Sequence, residues 1–174
     1  MTDLTLRVLT EDDAPELQRL YEGSPDALSR LMGGPAPAGQ AAGDLAGARG
    51  TSGRFEFGAY LDGRLVGMLD CKVAGDLPRQ AAIGLLLVAD DEASPELAAL
   101  ILRIVTRWLV SNYAVSRLET GVPAQDPAEI MFWQAQGFVL TGEQYRRDFN
   151  HYHPRFLVLA RDLVAPREEA QPAK

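Results

Sequence analysis

A second cysteine is missing, and with it any internal disulfide: Cys71 stands alone among 174 residues, which fits a reducing, cytoplasmic setting. Histidine is nearly as scarce. Only His151 and His153 occur, two residues apart with no further His or Cys to complete a set, which makes a poor metal site. Basic residues are outnumbered 17 to 24, for a net charge of −7. No basic stripe or aromatic-basic interleaving offsets that balance, so nucleic-acid binding is not expected. No apolar run approaches the roughly 20 residues needed to span a bilayer, and the start MTDLTLRVLTEDD has no secretory-signal pattern; no membrane association is expected. Ser-His-Asp sets, a P-loop and a dinucleotide fingerprint are all absent, the GGP and GVP triplets being simple turns. The acidic balance favours solubility and suits a cationic or amine ligand.

The pattern that is present alternates helices and strands. Leu4 to Leu9 reads as a short strand, followed by a helix from the Thr10 cap to about Tyr21 and a second over 26–32 behind Ser24 and Pro25. Residues 33–53 are almost wholly Gly, Ala, Pro and small polar residues, a mobile insertion that is either a tolerated surface loop or a lid. A weak helix fits 40–48. Strands 55–61 and 64–73 flank Asp62-Gly63, a two-residue hairpin turn, and the apolar strand 81–88 follows. Ser94-Pro95-Glu96 caps a long amphipathic helix running to about Asn112. Strand 117–122, a helix from Asp126-Pro127 to Gln136, and strands 138–146 and 155–162 complete a β-α-α-β-β-β-α-β-α-β-β order. Residues 1–164 read as one domain and 165–174 as a disordered tail.

The turn after strand 81–88 has the layout of a phosphate cradle without its chemistry. A strand feeding a helix through a short turn offers free helix N–H groups to an anion. Here the turn holds no glycine and four acids, Asp90, Asp91, Glu92 and Glu96. One carboxylate about 6 Å from a phosphate charge costs roughly 3 kcal/mol at an effective dielectric near 20.

The order, the block DPAEIMFWQAQGF from Asp126 to Phe138, and the run FEFGAYLDGRLVGMLDCKV with AAIGLLLVA together resemble the GNAT family, the Gcn5-related N-acetyltransferases. The likeness covers about Leu4 to Leu163. It implies an α/β fold with a mixed, strongly twisted sheet of about seven strands, splayed between the fourth and fifth. It also implies acetyl-CoA as cofactor. By position, the backbone of Leu86 and Val88 would contact the acetyl-pantetheine arm. The pyrophosphate loop would fall on Ala93, Ser94, Pro95, Glu96, Leu97 and Ala98. Only Ala98 matches the family pattern there, so the loop is degenerate: Ala93 replaces the basic or amide residue and Glu96 a glycine. Arg103 and Arg107 lie too far along the helix to offset the acids.

Acetyl transfer to an amine needs a proton acceptor, an oxyanion donor and an acid for the thiolate. The family's frequent tyrosine near the second block is Trp133 here, which is no useful acid. Glu119, Asp70 and Tyr145 remain as catalytic candidates, with backbone N–H near Val88 as oxyanion donor. Cys71 and Trp108 read as core residues. The expected activity is transfer of an acetyl group to a primary amine of a small molecule or protein. The competing expectation is a non-catalytic GNAT-like binding or interaction protein that has lost CoA binding, its pocket holding another ligand or its surfaces mediating association into a homodimer.

Overall fold

The computed structural model of the protein describes residues 3–75 and 79–163; the expected turn at 75–78 lies partly outside them, and the tail beyond 163 wholly so. Strand β1 (Leu4–Val8) precedes helices α1 (Ala14–Glu22), α2 (Pro25–Met32) and α3 (Gln40–Arg49). Strands β2 (Arg54–Leu61), β3 (Arg64–Val73) and β4 (Gln80–Val88) lead into the long helix α4 (Pro95–Tyr113). Then come β5 (Arg117–Pro123), α5 (Pro127–Ala135), β6 (Val139–Arg146) and β7 (Arg155–Asp162).

These strands form one mixed sheet in the order β1-β2-β3-β4-β5-β7-β6. Asp62 and Gly63 take positive φ angles of 48° and 82°, as a tight hairpin turn between twisted strands requires, and set Leu61 opposite Arg64. All strand pairs are antiparallel except β4 with β5. That parallel pair is short, running from Gln80↔Arg117 only to Ile83↔Thr120. Beyond it the two strands diverge, and the sheet opens into the splay that the resemblance implied.

Two cores sandwich the sheet. Helix α4 places Ile101, Leu102, Val105 and Leu109 on one face, where Trp133 of α5 and Leu118 and Val122 of β5 join them. On the other face Leu17, Leu20 and Tyr21 of α1, Leu28 of α2 and Leu45 of α3 cover Met68 and Leu87. The Gly/Ala-rich stretch expected to be mobile contains α3, where the sequence fitted only a weak helix over 40–48; its Ala41 and Leu45, one turn apart, are buried. Ser24 departs from its expected capping role. Its hydroxyl donates to the Leu20 carbonyl at 2.8 Å, and the N–H of Asp26 is met instead by the Asp90 carboxylate at 3.1 Å. Among the described residues no helix is long and apolar enough to cross a membrane.

Candidate functional site

Side chains on successive strands alternate between the two cores, and that alternation sets the site. Leu69 and Cys71 face α4, so Asp70 between them faces the opposite side; Leu118 and Val122 likewise leave Glu119 and Gly121 on the α1–α3 side. A β-bulge makes Gly84 the extra residue of β4, between Ile83 opposite Cys71 and Leu85 opposite Asp70. Gly84 and Gly121 are therefore the first residues past the last parallel pair, at the apex of the splay.

Both glycines are covered by sequence-predicted candidates. A Cβ on Gly84 would sit 2.6 Å from the Asp70 Oδ2, and one on Gly121 would collide with the Tyr145 hydroxyl. Tyr145 reaches there from β6 by stacking on Phe156 of β7, ring centroids 5.3 Å apart and 9° from parallel. Asp70 and Tyr145 thus flank the apex from opposite sides. Burial raises the pKa of the Asp70 carboxyl, against the pull of Arg54, whose Nε donates to Oδ1 at 2.9 Å. Burial also raises the Tyr145 phenol, keeping its proton available for donation.

Glu119 is not brought to this apex. It stands on the paired side of the splay, opposite Ala82, and accepts from Arg117 Nε at 3.1 Å. Its neighbours Lys72 and Gln80 belong to a different cavity.

Sequence reasoning missed Glu56. It lies directly opposite Asp70 on β2, on the same face, and only 2% of it is exposed. Arg54 donates to Glu56 Oε1 at 3.2 Å, while among the described residues Oε2 has no hydrogen-bond partner. Burial, reinforced by the charge of Asp70, pushes this carboxyl up to about 7. Glu56, Asp70, Arg54, Asp44 and Tyr21 line a cavity of about 260 Å³ that Gly84 floors and Arg147 and Phe149 border. The only sequence signal was placement: β2 is an inner strand with helices on both faces, so its polar alternate positions are enclosed.

A second cleft opens between β4 and α5. Leu86, Leu87 and Val88 form one wall, Ala93, Ser94, Pro95 and Ala98 its end, and Asp126, Ala128, Glu129 and Phe132 the other wall, enclosing about 460 Å³. The predicted backbone positions and most of the predicted loop thus converge on one cleft. Beyond Ile83, β4 bonds to β3 on one side only, leaving alternate N–H and C=O groups directed into the gap.

Three of the four acids of the turn, Asp90, Asp91 and Glu92, are engaged by other elements. Arg64, from the β2–β3 hairpin, holds Asp91 at 2.9 Å and Glu92 at 2.5 Å, and Asp90 meets the start of α2. At the start of α4, Ser94 Oγ accepts from the Leu97 N–H at 3.0 Å and Pro95 has no N–H to give. The Glu96 N–H remains as the first-turn donor that the helix itself cannot use. Arg30, from α2, is the one basic side chain among the described residues lining the cleft; its Nε pairs with Asp126 Oδ2 at 3.1 Å.

Other candidates resolve as structural. Cys71 is buried and its thiol is pushed up to about 12 by burial, unsuited to a nucleophile. Trp133 is buried against Phe138 and donates its indole N–H to Glu129 at 2.8 Å. Trp108 packs edge-on against Phe55 and Phe57, each at 5.0 Å. His153 pairs with Asp148 at 2.7 Å, and among the described residues no cluster of three or more metal-ligating side chains occurs.

No family model and no curated protein matches the chain. Solved structures do. An acetyltransferase from Thermus thermophilus is 26% identical with a TM-score of 0.75, covering 92% of this chain and 97% of that one. A GNAT-family acetyltransferase from Streptococcus pneumoniae is 15% identical with a TM-score of 0.65, covering 93% and 100%. The PaiA N-acetyltransferase from Thermoplasma acidophilum, solved in complex with coenzyme A, is 12% identical with a TM-score of 0.67, covering 92% and 99%. The chain is a protein of the GNAT fold, the architecture of the Gcn5-related acetyltransferases.

Proposed function

We propose that this chain is an N-acetyltransferase that passes the acetyl group of acetyl-CoA to a primary amine at the apex of the β4–β5 splay. The observation that carries the reading is the placement of Asp70 and Tyr145 over Gly84 and Gly121, an acid-base pair on either side of the one point where the sheet opens. The acetyltransferase structures that share the fold support it.

The cleft fits the cofactor in part. The open edge of β4 from Leu85 to Val88 suits the amide groups of a pantetheine arm, and the Glu96 N–H offers one donor to a phosphate. What the glycine-free turn lacks, Arg30 supplies: a cation lining the same cleft, held by one carboxylate that it can exchange for a phosphate. Acetyl-CoA provides the activated thioester, whose acetyl carbon is taken by the amine as the thiol departs. Asp70, positioned by Arg54, accepts the amine proton directly or through water; Tyr145 donates to the departing sulfur. Holding the amine against an open strand edge supplies much of the rate by proximity. A cytoplasmic location, resting on the single buried Cys71, belongs to the same proposal.

Thiol release from acetyl-CoA in the presence of primary amines tests the reading. Turnover that falls at least tenfold in Asp70→Asn and in Tyr145→Phe, with acetyl-CoA affinity unchanged, is the expected result. Pro95 and Glu96 at the start of α4 favour a second reading, a GNAT-fold binding protein without CoA. Failure of acetyl-CoA to bind at any salt concentration would select it.

A further inference from the structure

A buried carboxylate oxygen without a partner is costly, and a fold retains one where a ligand completes it. Among the described residues Glu56 Oε2 is such an atom. The side chain is 1% exposed, it lines the cavity that Gly84 floors, and Arg54 satisfies only its other oxygen. The remaining acids of the cavity are already engaged. Asp44 accepts from the Tyr21 hydroxyl at 2.8 Å and from Gln40 at 2.7 Å, and Asp70 accepts twice from Arg54 at 2.9 and 3.4 Å. Three carboxylates, those of Asp44, Glu56 and Asp70, face two guanidiniums, those of Arg54 and Arg147. Arg147 stands at the border, with its charge over the rings of Phe149 at 5.2 Å and Phe156 at 5.9 Å.

We infer that the acceptor is a short diamine, whose second, non-reacting ammonium donates to Glu56 Oε2. The class rests on the acetyl-transfer reading for which nitrogen reacts; the anchor does not. Glu56 and Asp70 face each other across adjacent strands, about 5 Å apart by sheet spacing. One nitrogen at Asp70 and another at Glu56 are then linked by a chain of about three to five carbons at that spacing. Leu28, Leu31, Met32, Met68 and Leu85 give the chain apolar walls. At about 260 Å³ the cavity is smaller than pockets for drug-sized ligands, which begin near 300 Å³, and suits so small a molecule.

The test is calorimetric titration without acetyl-CoA, using 1,4-diaminobutane, 1-aminobutane and 4-aminobutyrate against the natural protein and Glu56→Gln. Glutamine keeps the acceptor for Arg54 and turns the free oxygen into an N–H donor that repels an ammonium. Expected is binding of the diamine at least tenfold tighter than the monoamine, and a loss of roughly tenfold or more in Glu56→Gln. Diamine affinity also rises from pH 6 to pH 8 as Glu56 ionises, the groups facing it being Arg54, Asp70, Asp44, Tyr21 and Arg147. Matching thermal melts at pH 5, where Glu56 is neutral, show that the variant is folded. Equal diamine binding by Glu56→Gln overturns the inference, as does tighter binding of 4-aminobutyrate, which would make Arg147 the anchor. Absence of amine binding also overturns it, leaving water as the partner of Oε2. Diamine binding without thiol release once acetyl-CoA is added would retain the site and defeat the acetyl-transfer reading instead.

Discussion

Arg64 and Asp91, 27 residues apart in the chain, meet at 2.9 Å, and the same guanidinium holds Glu92. The charge that makes the turn before α4 look hostile to phosphate is thereby partly cancelled from the β2–β3 hairpin. Replacing Arg64 by Ala frees both carboxylates close to the cleft between β4 and α5. Acetyl-CoA affinity should then fall roughly three- to tenfold at low salt and recover much of that loss near 0.5 M salt, because exposed charges are screened. Calorimetry at the two salt concentrations checks this, and an unchanged affinity at low salt would show that the acids do not reach the ligand.

Arg30 carries the opposite charge into the same cleft. Arg30→Ala is expected to weaken acetyl-CoA roughly tenfold or more, through loss of a charge-assisted contact. Asp126→Asn should weaken it far less, since it removes the competitor for Arg30 while keeping an amide oxygen that can cap α5 through the Glu129 N–H. Equal losses in the two variants would show that the Arg30–Asp126 pair acts only to hold α2 against α5.

Stability should depend on pH through Glu56. Its carboxyl titrates near 7 in the folded chain and near 4.5 when unfolded. Between those values the folded state holds the extra proton, so stability falls as pH rises from about 4.5 to 7 and levels off above. The loss is on the order of 3 kcal/mol at most. Glu56→Gln should remove this slope and exceed the natural protein in stability at pH 8, as urea titrations at pH 5 and pH 8 will show. A slope that persists in the variant would assign it to other groups.

Gly121 needs its missing side chain. A methyl group there would overlap the Tyr145 hydroxyl and ring, and the tyrosine, stacked on Phe156, must leave the apex to make room. Gly121→Ala should cost about 1–3 kcal/mol by overpacking and lower turnover as far as Tyr145→Phe does. In the Tyr145→Ala background the stability cost should largely vanish. An additive double-mutant cycle would mean that the two positions do not meet.

The succession of elements along the chain could be read from local chemistry because each carries its own punctuation, whereas the sheet was implied by the family resemblance. Asp62-Gly63 marked the hairpin, Ser94-Pro95 the start of α4, and Asp126 the cap of α5, each realised by a hydrogen bond or a turn angle in the structure. Asp70 and Tyr145 were identifiable as candidates by residue type, but their meeting at the apex depends on a bulge at Gly84 and on β7 lying between β5 and β6. Neither leaves a local trace. Glu56 was hidden for a similar reason: in the alternation Phe55-Glu56-Phe57 a carboxylate reads as solvent-facing, and only the helices on both sides of β2 enclose it. The reach of Arg64 to the acidic turn is likewise a matter of hairpin register. In α3, short apolar content understated what two buried side chains can hold.

The early end of β4–β5 pairing gives this sheet an extra edge, one that lies within the molecule. An exposed strand edge invites pairing with a neighbouring chain, the first step of sheet-to-sheet aggregation. Here α2 and α5 stand over the gap, joined by Arg30 and Asp126, and no foreign strand can approach without parting them. The unbonded groups of β4 are thus withheld from other proteins yet remain open to a thin, flexible molecule that can thread between the helices.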